Sequence, residues 1–129
     1  MRRDQKQKFT EFVKQYGLTK EDFFRAKQGF VCVTRTGIEK IQRHLKLIVH
    51  YEVVAELCDV ASGMYVIKAT GGVEVGDEIV PMLESYGESS PKNNRNAYPV
   101  AMAEKRALSR VVLKAADLYE LGVYGEDEA

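Results

Sequence analysis

Cysteine, histidine and proline are scarce in this chain, with two, two and three copies, and no stretch approaches the roughly 18 consecutive apolar residues of a membrane-crossing helix. Cys32 and Cys58 stand singly in apolar, strand-like surroundings without C-x-x-C spacing, which excludes a cysteine metal or redox motif and predicts buried thiols. His44 and His50 fall on different predicted elements with no further ligand at metal spacing, so they read as polar surface residues. No Ser/His/Asp set is apparent. Gly71-Gly72-Val73-Glu74-Val75-Gly76 lacks the Lys and Ser/Thr of a phosphate loop, and Glu52 with Glu56 is a single carboxylate pair on one predicted strand face. The expectation is a non-enzymatic protein with no metal and no cofactor. Met1-Arg2-Arg3-Asp4 leads into charged helix instead of an apolar signal core, which predicts a cytoplasmic location and no membrane partner.

What the chain does have is one domain's worth of apolar residues, 45% of 129, and a segregated charge. The formal net charge is zero, yet residues 1–50 hold twelve basic against five acidic side chains and residues 51–129 hold seven against fourteen. Within the acidic half, residues 87–114 carry six basic side chains against two acidic ones. Such asymmetry points to a polyanion or to a head-to-tail neighbour.

The periodicities predict an α+β fold over residues 1–129. Phe9, Phe12, Val13 and Tyr16 recur at helical spacing, and Thr19 precedes Glu21 and Asp22 as a cap for a second short helix burying Phe23 and Phe24, together a helical hairpin over 1–29. A short strand over 30–34 follows, then a helix that the T-x-x-E box Thr36/Glu39 would start. Val49, Tyr51, Val53, Ala55 and Leu57 alternate with polar residues as in a strand covered on one side. Two more strands, 64–70 and 78–86, complete a three-stranded antiparallel meander, with a turn region at 71–77 and with Pro81 demanding a sheet edge or a bulge. A polar loop at 87–96 leads into a long C-terminal helix to about residue 120, with Asn96 as N-cap, Pro99 in its first turn, and Ala101, Leu108, Val111, Val112, Ala115 and Leu118 facing the core. The α+β core spans 30–122, and residues 123–129 are expected to be a solvated acidic tail.

On that last helix Arg106, Arg110 and Lys114 lie at i, i+4 and i+8 with Lys105 alongside, and Lys92, Asn93, Asn94, Arg95 and Asn96 stand at its start. Forked guanidinium groups, lysine ammonium groups, amides and helix-start N–H groups are what a phosphate backbone requires. A solvated charged helix face gives the same pattern; scarce acids and three asparagines within four residues favour a binding surface. Tyr98 beside this loop is the stacking candidate, whereas Tyr51 and Tyr65 read as half-buried sheet residues.

The order β-β-β-α, with Tyr86-Gly87-Glu88, the polar loop and Ala103-Glu104-Lys105-Arg106-Ala107-Leu108-Ser109-Arg110, resembles the Rad/Erf/Sak superfamily of single-strand annealing proteins over about residues 36–122. The resemblance implies binding of single-stranded DNA in recombination, assembly into a homo-oligomeric ring or filament, and backbone contacts from Arg106 and Arg110, with Lys92 and Arg95 flanking. The same order of elements over 37–121 also resembles a double-stranded-RNA-binding domain. A third reading is an oligomeric interaction protein, the basic half of one copy meeting the acidic half of the next.

Overall fold

The computed structural model describes residues 2–93 and 97–128. Helix α1 (Arg3–Gln15) turns Phe9, Phe12 and Val13 toward the core, and the chain leaves it through Gly17 at φ 64°, a left-handed conformation suited to glycine. The second helix expected here does not form. Thr19 caps only one 3-10 turn, Lys20–Asp22, after which Phe23-Phe24-Arg25 becomes strand β1 (Phe23–Arg25), paired antiparallel with β2 (Val31–Val33). Cross-strand pairing of Phe23 with Val33 and Phe24 with Cys32 outweighs the local helical signal. The feature at 1–29 is therefore a helix followed by a strand, not a helical hairpin.

Asp22 ties this corner together. Its carboxylate accepts from Thr19 N at 2.8 Å and from Lys40 Nζ at 2.7 Å, and its carbonyl accepts from Thr34 N at 2.9 Å. Burial alone would raise its carboxyl pKa, but the Lys40 ammonium and the Thr19 donors outweigh that and hold it below the usual value. With Thr34 fixed in this way, helix α2 (Arg35–Leu45) starts from it, and Thr34 Oγ1 accepts from Gly37 N at 3.3 Å. The Thr36/Glu39 box is not used; Glu39 instead pairs with Arg35 at 3.0 Å.

Strands β3 (Ile48–Val53), β4 (Tyr65–Val75) and β5 (Glu78–Ser89) form an antiparallel sheet in that order. Val49, Tyr51, Ile67, Ala69 and Leu83 face the core, while Glu52, Lys68 and Glu84 share the outer face, Lys68 Nζ lying 3.4 Å from Glu52 and 3.8 Å from Glu84. β3 ends sooner than its alternation suggests: residues Ala55–Leu57 form a 3-10 turn, so Glu56 leaves the strand face of Glu52. β4 and β5 run longer than expected. The strand continues through Gly71-Gly72, and only Gly76-Asp77 turns. β5 is an edge strand, and its register with β4 slips between Gly71, opposite Leu83, and Gly72, opposite Pro81; edge and bulge both accommodate the missing proline donor.

Helix α3 (Pro99–Ala115) starts with Pro99 in its first turn but with Tyr98 as N-cap; Asn96 lies outside the described residues. It stops at Ala115, not near residue 120, because Asp117 turns left-handed and Leu118–Leu121 continues as a 3-10 turn. Ala103, Ala107, Leu108, Val111 and Val112 are buried against the sheet, and Ala101 is exposed. Strand β6 (Val123–Gly125) then pairs parallel with β2, giving a second three-stranded sheet, β1-β2-β6. The class is α+β, with three helices and two small sheets among the described residues. Cys32 is buried, Cys58 half-buried, and both are free thiols. No helix among the described residues is long and apolar enough to cross a membrane.

Of the glycines, Gly87 is the one most tightly approached, by α3 against β5. A Cβ there would collide with the Ala103 carbonyl and the Ala107 amide, helix backbone that has no rotamer with which to move away. Gly87→Ala is expected to cost about 3 kcal/mol, the upper part of the overpacking range, read as a lower urea midpoint at unchanged slope. Unaltered stability would show that the helix can lift off the sheet freely.

Candidate nucleic-acid interface

The three basic residues at i, i+4 and i+8 do not face solvent as a ridge. They lie along the free edge of β5, where alternate carbonyls have no strand to bond. Arg106 Nη1 donates to Glu88 O at 2.7 Å, Arg110 Nη1 to Tyr86 O at 2.9 Å, and Lys114 Nζ to Glu84 O at 3.1 Å. Two residues of strand advance about 6.6 Å and four residues of helix about 6.0 Å, so a basic residue on every helical turn meets every second carbonyl. The stripe substitutes for the missing fourth strand.

Arg106 is 8% exposed and is bound to the loop it holds: Nη1 also donates to Asn93 Oδ1 at 3.0 Å and Nη2 to Asn93 O at 2.9 Å. Arg110 is clamped between two carboxylates, by a fork to Glu88 at 2.6 and 3.0 Å and from Nε to Glu128 at 2.6 Å. The hydrogen bonds from Arg110 hold the Glu88 carboxyl below its ordinary pKa of 4.5, and Glu88 and Glu128 in turn stabilise the charged guanidinium. Lys105 Nζ lies 3.8 Å from Asp127, whose other oxygen accepts from Ser109 Oγ at 3.1 Å. Acids of the same chain thus neutralise Arg110 and Lys105, and Arg106 is buried. The expectation of a continuous phosphate-binding track along α3 is corrected.

The same contacts overturn the solvated tail. Glu126–Glu128 is a 3-10 turn continuing from β6; Glu126 accepts from Arg35 N at 3.0 Å at the start of α2, Asp127 reaches Ser109, and Glu128 reaches Arg110. A carboxylate at the positive end of α2 is well placed electrostatically.

Other predicted site residues keep their exposure. Lys92 and Asn93 lie in the exposed turn after β5, where Asn93 Oδ1 also accepts from Ser90 N at 2.9 Å, and Tyr98 at the helix start is 70% exposed. Asn94, Arg95 and Asn96 lie outside the described residues. Arg106 thus anchors Asn93, next to Lys92, while Tyr98 is the N-cap of α3. A second cationic and aromatic surface, which sequence reading missed, is a cleft of about 470 Å³ lined by Lys6, Phe9, Lys20, Phe23, Phe24 and Arg25. Its signal was the Phe-Phe-Arg run next to basic α1, masked by the reading of 19–29 as a buried helix. Among the described residues no three His, Cys, Asp or Glu side chains gather as a metal cage. Comparison with protein-family models, with curated proteins and with solved structures finds no match.

These contacts give two expected outcomes. Arg106→Ala strands the Glu88 and Asn93 carbonyls and is expected to lower stability by about 2 kcal/mol and to open the turn at 90–93 to proteolysis, whereas a purely phosphate-binding arginine would leave both unchanged. Because Glu88 is more acidic folded than unfolded, its contribution is complete above its unfolded pKa and disappears as pH falls through the folded one. Thermal melts should drop on acidification below about pH 5, and Glu88→Gln should flatten that drop. Equal acid sensitivity in the variant would remove the Arg110–Glu88 pair as its source.

Proposed function

We propose that the chain binds single-stranded DNA through its backbone, without sequence preference, and promotes the annealing of complementary strands. The observation that carries this reading is the loop after β5: a buried arginine in no ion pair among the described residues holds Asn93, and exposed at that loop are an ammonium, Lys92, and an aromatic ring, Tyr98. A cation for the phosphate and a ring for the unpaired base are the two parts of a single-strand contact. The similarity of the α3 run to annealing proteins and the asparagine-rich composition of 93–96 support the same reading. Arg106 enters it as the support of the loop and Arg110 as part of the β5 edge cover, not as phosphate ligands.

One such contact is weak, since a stacked base contributes about 1–3 kcal/mol and a lysine one released counterion. Anisotropy of a fluorescent oligonucleotide should therefore show salt-sensitive binding that Tyr98→Ala weakens by at least about 1 kcal/mol and whose salt slope Lys92→Ala reduces by about 1. Unfolding midpoints should stay at the wild-type value in both variants. No binding at low salt, or strong preference for one base sequence, would overturn the reading. The order α2-β3-β4-β5-α3 also supports the alternative of a double-stranded-RNA module. Competition between duplex RNA and single-stranded DNA separates the two, because only the second alternative predicts that duplex RNA displaces the oligonucleotide.

A further inference from the structure

The two sheets leave their edges in different states. Along β5 the cationic side chains of α3 occupy the edge carbonyls, whereas β1 is an edge of the sheet β1-β2-β6 with its outward groups open. Thr34 N donates to Asp22 O at 2.9 Å and Ala26 N to Phe30 O at 2.8 Å, on either side of the Phe24/Cys32 pair. Antiparallel bonding alternates along a strand, so Phe24 bonds toward β2 while Phe23 and Arg25 turn their N–H and C=O groups outward. Among the described residues nothing bonds the backbone N–H or C=O of Phe23 or Arg25. Such a row of donors and acceptors is a template for one more strand.

The cleft beside this edge selects the kind of strand. Phe9, Phe23 and Phe24 line it; Phe9 and Phe23 meet edge to face with centroids 5.3 Å apart, and Phe24 stays 41% exposed. Lys6, Lys20 and Arg25 stand around these rings, and among the described residues none of the three is in an ion pair. Arg25 Nη1 donates to Gly29 O at 2.8 Å, which holds the guanidinium in place without neutralising it. Positive charge around an edge keeps a second copy of the same edge away. The complement is an anionic segment that carries apolar side chains. A phosphodiester backbone meets half of this requirement: it accepts from the amides and the lysines but has no donor for the carbonyls of Phe23 and Arg25. A peptide backbone presents both donors and acceptors.

We infer that β1 is the docking strand for an extended acidic segment of a partner protein. The segment adds to β1-β2-β6 beyond β1, bonds the outward backbone groups of Phe23 and Arg25, sets an apolar side chain on the phenylalanine rings, and places carboxylates on Lys6, Lys20 and Arg25. Backbone pairing supplies the affinity, and the cationic rim with its aromatic floor supplies the choice of acidic over basic sequences. The inference stands on the edge and its cleft and does not rest on the loop assigned to DNA.

The probe is a fluorescein-labelled peptide alternating Glu with Leu, titrated with the full chain. Wild type should bind it saturably, more weakly as salt rises, and should bind the same peptide with Lys for Glu at least about tenfold more weakly. Lys6→Glu with Lys20→Glu should reverse that preference. N-methylation of one set of alternate peptide amides should weaken binding by about threefold to tenfold, and methylation of the other set, which faces away from β1, should leave it unchanged. Arg25→Pro removes an outward N–H without touching the bonds to β2, so it should weaken binding more than Arg25→Ala does. Hydrogen exchange on the wild-type protein reads the edge directly: bound peptide should slow the amides of Phe23 and Arg25 by at least about tenfold and leave that of Phe24 as it was. No binding up to about 1 mM peptide, equal affinity for the acidic and basic peptides, or equal sensitivity to the two methylation sets would overturn the proposal. So would a cleft reversal that weakens oligonucleotide binding and not peptide binding, since nucleic acid would then be the occupant.

Discussion

Backbone contact between α3 and β5 at Gly87 sets the positions of nearly everything of functional interest. With hydrogen in place of Cβ, the strand accepts the Ala103 carbonyl and the Ala107 amide against it, and small alanines on the helix keep the axis close. At that distance the neighbouring stripe of α3 falls beside the strand edge, and its long cationic side chains reach the carbonyls of Glu84, Tyr86 and Glu88. The difference between helical and strand advance amounts to about 1 Å over the stripe, which flexible lysine and arginine stems absorb. An edge satisfied by guanidinium and ammonium groups is closed to further strands along 84–88, and the same strand nearer its tip is not.

The charges follow from this arrangement. An arginine placed over an edge carbonyl in a half-buried site needs an anion, and the chain supplies Glu88 from the strand itself and Glu128 from beyond β6. Fixing Glu128 fixes the turn it belongs to, which brings Asp127 to Ser109 and Glu126 to the start of α2. The parallel pairing of β6 with β2 thus belongs to the same set of contacts as the edge cover. Four of the eight acids of residues 84–128, Glu84, Glu88, Asp127 and Glu128, pair with basic side chains of the same chain.

Elements with a long, regular pattern were legible from the residues. The alternation of Val49 and Tyr51 with His50 and Glu52, the need of Pro81 for an edge or a bulge, and Pro99 in a first helical turn depend on neighbours close in sequence, and the structure has them. Three-residue strands are a different matter. Phe23–Arg25 is a strand because Val31–Val33 lies beside it, and Val123–Gly125 because the same β2 accepts it from the far end of the chain; neither partner is visible in a local window. The candidate site failed to read correctly for a sharper reason. A helical stripe of Arg and Lys has the same period whether it faces water, a phosphate backbone or a strand edge, and periodicity cannot separate three polar surroundings. The discriminating signal was the glycine at 87 with two alanines four apart on the helix, which marks close packing and places the stripe next to a strand.

Removing Lys105, Arg106 and Arg110 from the list of phosphate ligands changes what kind of binding is physically possible. A track of four or five cations on one copy could hold a strand unaided, whereas one lysine and one ring cannot compensate the loss of rotational and translational freedom on association. Contacts of that strength become useful only when repeated at fixed spacing, because a strand already held at one loop meets the next at high effective concentration. Repetition in turn requires copies that share an orientation, which a two-fold contact reverses. A weak, sequence-indifferent contact repeated along an oriented array also leaves each base free to exchange partners, which strand annealing demands and a tight single site would prevent.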